Sequence, residues 1–300
     1  MRVMELNGVI IDNTHSEAFA MYYARALVTA IDHHWLDAAV RQATGFATSI
    51  IGCDVEAGRE IFTLGTPDEK LGAYLLFFGR HKEGLAKSLV KRFGQTILTC
   101  PTTNLYNGAK DGDPADIGAK LRYFGDGIEE KVEREGRTFW QIPVSEGTFT
   151  VEEKFNINEG VAGGAFIVMA RTEAFGLYAA RKAVEAIEAM EGVITPFPGG
   201  VCRAASQMQG RYKFMKASSN RSFLPPSGKR TPGAKMHPEG VTALEIVIDG
   251  VDEESVRQAM KAGIEAACEN PGVVMISAAN FGGRLGNVKI PLIETLEQEP

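Results

Sequence analysis

An approximate internal repeat is the feature that most constrains the fold of this 300-residue chain. The segment "NGVIID" at 7–12 recurs as "TFTVEE" at 148–153, an offset of about 141 residues. "RALVTA" followed by "DHHWLDAAVRQATG" recurs at nearly the same offset as "FIVMA" followed by "TEAFGLYAARKAVEAIEAMEG". A unit that occurs twice in one chain predicts two similar lobes.

Each copy has the pattern of a strand, a helix and a second strand. Apolar residues at i, i+3 and i+4 predict the helices, with Asp32 and Thr172 as N-caps. In the first copy the helix is predicted to end at Gly45 and the next strand to cover 46–53. In the second copy the helix is predicted to end at Gly192 and the next strand to cover 193–196.

The second part of each copy also repeats, because "AYLLFFGRHKEGLAKSLVKRFGQTILTC" at 73–100 matches the strand, helix and strand pattern of 242–277. Two successive βαβ pairs predict the split βαβ arrangement, an antiparallel sheet with two helices on one face. The predicted fold class is therefore α+β, with two tandem ferredoxin-like lobes from an internal duplication. We expect the lobes at 1–146 and 147–300, with 104–127 as an irregular insertion in the first.

The largest departure from the repeat is a long basic loop at 197–241. No Asp or Glu occurs from Gly192 to Pro238, but this segment contains eight cations: Arg203, Arg211, Lys213, Lys216, Arg221, Lys229, Arg230 and Lys235. The whole chain has 32 Lys and Arg against 38 Asp and Glu, which leaves 24 cations against 38 anions elsewhere. An anionic ligand explains this pattern best, while a subunit contact and a solvated loop are the alternatives. Nucleic acid is disfavoured, because the acidic remainder would repel a polyanion.

In the predicted strand "VTALEIVIDG", every position from 243 to 248 is apolar except Glu245. By the two-residue alternation of a strand, its side chain shares a face with Ala243 and Val247. In the split βαβ arrangement this position lies about 10–15 Å from the root of the basic loop. Burial there would favour the protonated carboxyl and suit a proton shuttle, whereas a structural salt bridge with Arg203 is the alternative.

Two weaker patterns remain. "SAANFGGRLG" at 277–286 ends the last predicted strand in a Gly-rich turn, which either presents backbone N–H groups to an anion or only needs positive φ. Cys100 is predicted at a strand end, where a nucleophile could lie, although an inert buried thiol is the simpler interpretation.

The composition excludes several classes of protein. The longest apolar runs are far shorter than the ~20 residues of a membrane helix, and the first residues lack the pattern of a signal peptide, so we expect a cytoplasmic protein with no membrane partner. The four Cys residues have no paired spacing, the His residues make no joint site, and no phosphate-binding motif occurs. We therefore expect no metal site and no tightly bound nucleotide.

The blocks "MELNGVIIDNTHSEAFA", "GVAGGAFIVMA", "PFPGG", "LEIVIDG" and "SAANFGG" together resemble the formylmethanofuran:tetrahydromethanopterin formyltransferase family over nearly the whole chain. The resemblance implies a cofactor-free homotetramer of one-carbon metabolism. It also implies transfer of a formyl group from the amine of methanofuran to N5 of tetrahydromethanopterin. The glutamate at the active site of that family corresponds to Glu245.

The same resemblance, with the basic loop and the Gly-rich turn, gives the predicted substrate-binding residues: Gly199, Gly200, Arg203, Ser206, Arg211, Lys213, Ser218, Asn280, Phe281, Gly282 and Gly283. The anionic tails of both substrates would account for the acid-free loop. Three alternatives stay open: a paralogue that acts on a related formyl carrier, a subunit of a larger complex, and a non-catalytic tandem ferredoxin-like module that binds a ligand.

Overall fold

The computed structural model describes residues 4–203, 206–208, 210–225, 233–283 and 285–298. Its contacts divide the chain into two compact units. The first unit comprises Met1–Ala20, Thr48–Cys53 and Val161–Pro300, and the second comprises Met21–Ala47 and Asp54–Gly160.

The strands in the first half of the chain are β1 Met4–Leu6, β2 Val9–Ile11, β3 His15–Ala30, β4 Glu56–Thr63, β5 Leu71–Gly79, β6 Asn104–Asn107, β7 Asp113–Ala115, β8 Glu130–Arg134 and β9 Arg137–Val144. Those in the second half are β10 Gly147–Glu152, β11 Phe155–Ala170, β12 Val193–Ile194, β13 Ser206–Met208, β14 Ala217–Ser219, β15 Thr242–Gly250, β16 Val273–Ser277 and β17 Val288–Pro291. The helices are α1 His33–Thr44, α2 Lys82–Arg92, α3 Gly118–Leu121, α4 Glu173–Ile187, α5 Glu253–Cys268 and α6 Leu292–Glu297.

Each unit contains four strands in the same order. In the second unit β4 pairs with β5, β5 with β3, and β3 with β6, all antiparallel. In the first unit β12 pairs with β15, β15 with β11, and β11 with β16, again antiparallel. The chain is thus a mixed α and β protein in which one strand order occurs twice.

A fifth strand extends each of these sheets in parallel. β2 pairs with β16 in the first unit, and β10 pairs with β6 in the second. The repeat between 7–12 and 148–153 is therefore matched by equivalent strand positions.

The compact units differ from the halves expected at 1–146 and 147–300. The first twenty residues belong with the C-terminal part of the chain, and 147–160 belongs with the N-terminal part. The boundaries fall inside β3 and β11, two strands of 16 residues each that run from one unit into the other. Each of these strands pairs with strands of both units, which a cut of the sequence at one point cannot represent.

The helix starts follow the predicted caps. Asp32 and Thr172 accept the N–H groups of Trp35 and Phe175, both at 3.1 Å, at the first turns of α1 and α4. Such caps typically contribute about 1 kcal/mol each. The Asp252 side chain caps α5 in the same way through Ser255 N at 2.7 Å.

Several predicted boundaries are wrong. No strand forms at 46–53, and the second strand of that copy is β4, which begins at Glu56. α4 ends at Ile187 rather than near Gly192. The segment 104–127 is partly regular, since it contains β6, β7 and α3. These errors share a cause, because short strands and helix ends are determined by packing rather than by local pattern.

Candidate functional site

The sheet of the first unit has two differently covered faces. Phe166, Val168, Ile246 and Ile248 share one buried cluster with apolar residues of α4 and α5. Ile167 and Met169 point to the other face, where they cluster with Phe223 and Met236 of the basic loop. The loop therefore packs on the face of this sheet that the helices leave open.

Glu245 lies on this loop-covered face. Ala243, two residues earlier on β15, packs with the loop cluster, and alternation along the strand gives Glu245 the same direction. The residue is only 6% exposed. A buried carboxylate under a cationic loop is the central feature of the site.

The root of the loop is bonded directly to Glu245. The Glu245 N–H donates to the Cys202 carbonyl at 2.9 Å, and the Cys202 N–H donates to the Glu245 carbonyl at 2.8 Å. Arg203, the next residue, has an exposed side chain. The predicted proximity of Glu245 and the loop root is confirmed, and it is closer than expected.

The other end of the loop is fixed to the neighbouring strand. The Val241 N–H donates to the Ala170 carbonyl at 2.8 Å, and Arg171 Nε donates to Glu239 Oε2 at 2.8 Å. Glu239 is the first carboxylate after the acid-free segment, and the Arg171 guanidinium lowers its pKa. Both ends of the loop are thus held at the sheet.

Gly199 and Gly200 form the turn that precedes the loop root. Both have positive φ, 63° and 73°. A Cβ on Gly200 would lie 2.6 Å from the Val184 side chain and 2.8 Å from Thr195 Oγ1, whereas a Cβ on Gly199 would meet nothing within 4 Å. Gly200 therefore serves close packing against α4, and Gly199 borders open space.

The middle of the loop contains a small hairpin and an exposed tip. Ser206 pairs with Ser219 through the backbone, and Ser218 Oγ accepts Gln207 Nε2 at 3.0 Å. Arg211 and Lys213 are exposed.

Two aromatic rings accompany the cations of the tip. The Tyr212 and Phe214 ring centroids lie 5.7 Å apart, and Phe214 is 84% exposed. A tip with exposed cations and exposed rings is a surface suited to an anionic ligand that carries a flat ring. Lys229 and Arg230 lie outside the described residues.

The Gly-rich turn is brought to the same region by sheet register. Glu245 pairs with Ile167, and Ile167 pairs with Ser277, the last residue of β16. Two strand spacings separate Glu245 from Ser277, about 10 Å. Asn280 follows three residues later, so two sequence-distant predictions meet at one part of the sheet.

The backbone donors of this turn are used within the protein. The Phe281 N–H donates to Glu17 Oε1 at 2.8 Å, and Gly283 N–H donates to the same oxygen. Gly282 and Gly283 both have positive φ. The two alternatives for this turn were an anion-binding role and a need for positive φ. Both features occur, and the bound anion is the Glu17 side chain of the same chain.

Glu17 was not identified from the sequence. It is 2% exposed, and its other oxygen accepts the N–H groups of Leu285 at 3.2 Å and Gly286 at 3.1 Å. Burial alone would raise the pKa of Glu17, but the backbone N–H donors outweigh it, and the pKa lies below its usual value. The available signal was that Glu17 is the one acidic residue of β3.

Cys100 does not lie at a strand end, because β6 begins only at Asn104. The Cys100 Sγ donates to the Trp35 carbonyl at 3.5 Å in a turn of the second unit. Burial, with a smaller effect of the Glu146 charge, raises the pKa of this thiol. The inert interpretation of Cys100 fits this environment, since the thiolate is the nucleophilic form.

Within the described ranges, no group of three or more His, Cys, Asp and Glu side chains is arranged to hold a metal ion. Across the same residues, no helix combines the length and apolarity needed to cross a membrane.

A buried carboxylate beneath a cationic loop is suited to moving a proton within an anionic substrate, so this face of the sheet is a candidate active site. Residues 4–144 match the model of the family described as formylmethanofuran-tetrahydromethanopterin formyltransferase, and residues 147–295 match the model described as its proximal lobe. The chain belongs to this family.

Relatives of full length support the assignment. The chain is 44% identical to the formylmethanofuran–tetrahydromethanopterin formyltransferase of Methanopyrus kandleri, over 96% of this chain and 99% of the relative. It is 45% identical to the enzyme of the same name from Methanothermobacter thermautotrophicus, over 96% of this chain and 99% of the relative.

Two solved structures share the fold. The formyltransferase from Methanosarcina barkeri superposes with a TM-score of 0.92 at 41% identity, over 97% of this chain and 100% of that chain. A chain of the formyltransferase/hydrolase complex from Methylorubrum extorquens, solved with methylofuran, superposes with a TM-score of 0.94 at 37% identity, over 99% of this chain and 100% of that chain.

Proposed function

We propose that the protein transfers a formyl group between formylmethanofuran and N5 of tetrahydromethanopterin or a related tetrahydropterin. The observation that carries the proposal is the position of Glu245, buried in the sheet and bonded through its backbone to the root of the cationic loop. The names of the relatives supply the substrates, and this geometry supplies a group that can move a proton.

The reaction requires no covalent intermediate with the enzyme. The N5 lone pair attacks the formyl carbon, the C=O electrons move to oxygen, and a tetrahedral intermediate forms. The N5 proton passes to the Glu245 carboxylate. The oxyanion then re-forms the C=O bond while the bond from carbon to the methanofuran nitrogen breaks, and Glu245 protonates that nitrogen. One acid/base group therefore serves both nitrogens, and the protonation state of Glu245 is restored in each cycle.

The basic loop is proposed to bind the anionic tails of the substrates. Arg203, Arg211 and Lys213 are exposed, so their charges are accessible to carboxylate or phosphate groups. The proposed contacts along the same segment also include Ser206, Ser218 and Gly199. Gly200 is proposed to hold the turn at Gly199 in place. The Gly-rich turn from Asn280 to Gly283 is proposed as the second wall.

We also propose that the fold is a tandem of ferredoxin-like lobes from a duplication, with the sequence boundary near Glu146. The repeated strand order supports this proposal, as does the division of the family matches between residues 144 and 147. The exchange of 1–20 and 147–160 between the compact units would follow if each copy contributes its first strand to the sheet of the other.

Assembly as a homotetramer is a further part of the proposal. Large apolar side chains such as Phe46 and Leu64 in the second unit, and Phe175 and Leu177 in the first, are exposed and could be covered by other copies. The Methylorubrum extorquens relative occurs in a multi-subunit complex, so a mixed assembly is the alternative. Light scattering distinguishes a tetramer from a monomer. The cytoplasmic location of the protein is a separate prediction.

The test incubates the purified protein with both substrates and follows the absorbance of the 5-formyl pterin. We expect saturable formation with the wild type and a fall in kcat of roughly 10²- to 10⁴-fold in Glu245→Gln, with substrate affinity nearly unchanged. A melting curve on the same preparation shows whether the variant is folded.

A non-catalytic binding module makes a different prediction. Saturable binding of a substrate with no product above the buffer rate would replace the enzyme by such a module. A folded Glu245→Gln variant with full turnover would show that the protein transfers the formyl group without Glu245 as the acid/base group.

A further inference from the structure

The carboxylate of Glu17 binds the described residues of the Gly-rich turn on both sides of position 284. Its two oxygens accept four main-chain N–H groups between Phe281 and Gly286, and these partners lie 264–269 residues away in the sequence. Glu17 lies on β3 opposite Lys289 of β17, the strand that follows the turn. One side chain therefore joins the beginning of the chain to the segment between β16 and β17.

The turn is shaped to fit this carboxylate. A Cβ on Gly286 would lie 2.8 Å from the Glu17 Cβ and 2.5 Å from the Ala18 carbonyl oxygen, so the backbone approaches closely only because the residue is glycine. Gly282 and Gly283 adopt positive φ, and the Gly282 N–H is directed to Asn280 Oδ1 at 3.4 Å.

The N-terminal segment continues this contact toward Glu245. Asn280 Nδ2 donates to Thr14 Oγ1 at 2.9 Å, and Ser277 Oγ donates to Asp12 Oδ2 at 2.7 Å. Ser277 is in the same row across the sheet as Glu245. The side chains of Asp12, Thr14 and Glu17 thus bind a segment that begins at Ser277, two strand spacings or about 10 Å from the proposed acid/base group.

We propose that Glu17 is a positioning residue for formyl transfer, which acts as a built-in anion that holds the turn from Asn280 to Gly286 as a rigid wall of the substrate site. The inference rests on the proposed function and goes beyond it, because it assigns a role to a residue that does not touch the reacting atoms. It also means that the N–H groups of Phe281 and Gly283 hold the wall and do not bind the substrate oxyanion.

The test compares Glu17→Ala and Glu17→Gln with the wild type in the formyl-transfer assay, below the melting temperature of each variant. We expect KM to rise roughly 10- to 100-fold in Glu17→Ala, with a smaller change in kcat, because several charge-assisted hydrogen bonds are lost at once. Glu17→Gln keeps one acceptor oxygen and should lie between the two. Acetate added to Glu17→Ala should lower KM again, because it supplies a carboxylate to the vacated N–H groups.

Hydrogen exchange gives a readout without substrate. The amides of Phe281, Gly283, Leu285 and Gly286 should exchange faster in Glu17→Ala while the amides of β15 keep their protection. Asp249→Asn is the matched control, since Asp249 is also a buried carboxylate of the first unit that accepts a backbone N–H, that of Gly163 at 2.8 Å. We expect this control to lower the melting temperature and to leave KM unchanged.

A folded Glu17→Ala protein with wild-type KM, or an equal rise of KM in Asp249→Asn, would overturn the inference. Failure of acetate to lower KM together with unchanged exchange of the turn would do the same. Absence of transfer by the wild type would overturn the proposed function and this inference with it, an outcome that the wild-type sample separates from a failure of Glu17 alone.

Discussion

Replacement of Phe223 by Ala should detach the basic loop from the sheet while the rest of the first unit stays folded. Phe223 is 1% exposed and clusters with Met236, Ile167 and Met169 on the loop-covered face. The Lys235 ammonium lies 5.5 Å from the centroid of its ring. This one side chain therefore connects the two halves of the loop to the strand that pairs with β15.

The magnitude follows from the burial. Removal of a buried Phe side chain costs about 3–5 kcal/mol, to which the partly exposed cation–π contact adds about 0.5–1 kcal/mol. A loss of about 3 kcal/mol in the seating of the loop would increase its opening roughly 150-fold. The proposed site requires the seated loop, so KM should rise by at most the factor by which the population of the seated form falls.

The assay measures hydrogen exchange alongside KM. The Lys235 N–H donates to the Ser222 carbonyl at 3.0 Å, and the Val241 N–H bonds Ala170, so both report on seating. Phe166→Ala is the matched control. Phe166 is as buried as Phe223, but it lies on β11 and packs on the face of that strand that the helices cover. The control should lower the melting temperature without selective exchange in the loop. Equal exchange of Lys235 in both variants, or an unchanged KM in a Phe223→Ala protein with rapid loop exchange, would refute the reasoning.

Two further predictions concern charge. Arg211→Ala and Lys213→Ala should raise KM more than they lower kcat, because contacts to the substrate tails are equally strong in the ground and transition states. An unchanged KM in both variants would show that these two side chains are solvated and do not bind the substrate. The stability that Glu17 contributes should depend on pH in the acid range only. Its folded pKa is lowered, so the contribution is complete above the unfolded value and is lost as pH falls through the folded pKa. Denaturant unfolding of wild type and Glu17→Gln should therefore show a constant difference near neutrality that shrinks in acid, and a difference that grows in acid would contradict this sign.

The sequence predicted the helices and the central strands of each copy because their signals are local. Asp32 and Thr172 are caps next to strongly periodic segments, and the observed starts of α1 and α4 follow them. β15 and β16 are apolar runs bounded by turn residues, and both lie where they were expected. Such patterns need no knowledge of the partner strand.

What the sequence could not predict depends on partners far along the chain. β2 has only three residues, and its parallel pairing with β16 has no counterpart in local pattern. Glu17 has the same limitation, because its role comes from backbone donors more than 260 residues away. The Gly-rich turn binds an anion, the Glu17 side chain, and two of its glycines have positive φ, while substrate contact at Asn280–Gly283 stays a prediction.

The two copies of the repeat differ at the position of Glu245. Leu27 and Ile167 occupy equivalent positions on β3 and β11, and their partners on the next strand are Tyr74 and Glu245. The Arg25 guanidinium covers the Tyr74 ring at 3.9 Å, and β4 and β5 are joined by only 64–70, whereas β12 and β15 are joined by 195–241. In the second unit the position equivalent to Glu245 is therefore occupied by a tyrosine covered by Arg25, and the adjoining loop is short. In the first unit a long cationic loop covers a carboxylate. Where a strand order occurs twice in a chain, a loop of one copy can lengthen while the core strands of both are kept, since loops tolerate insertion and core strands do not.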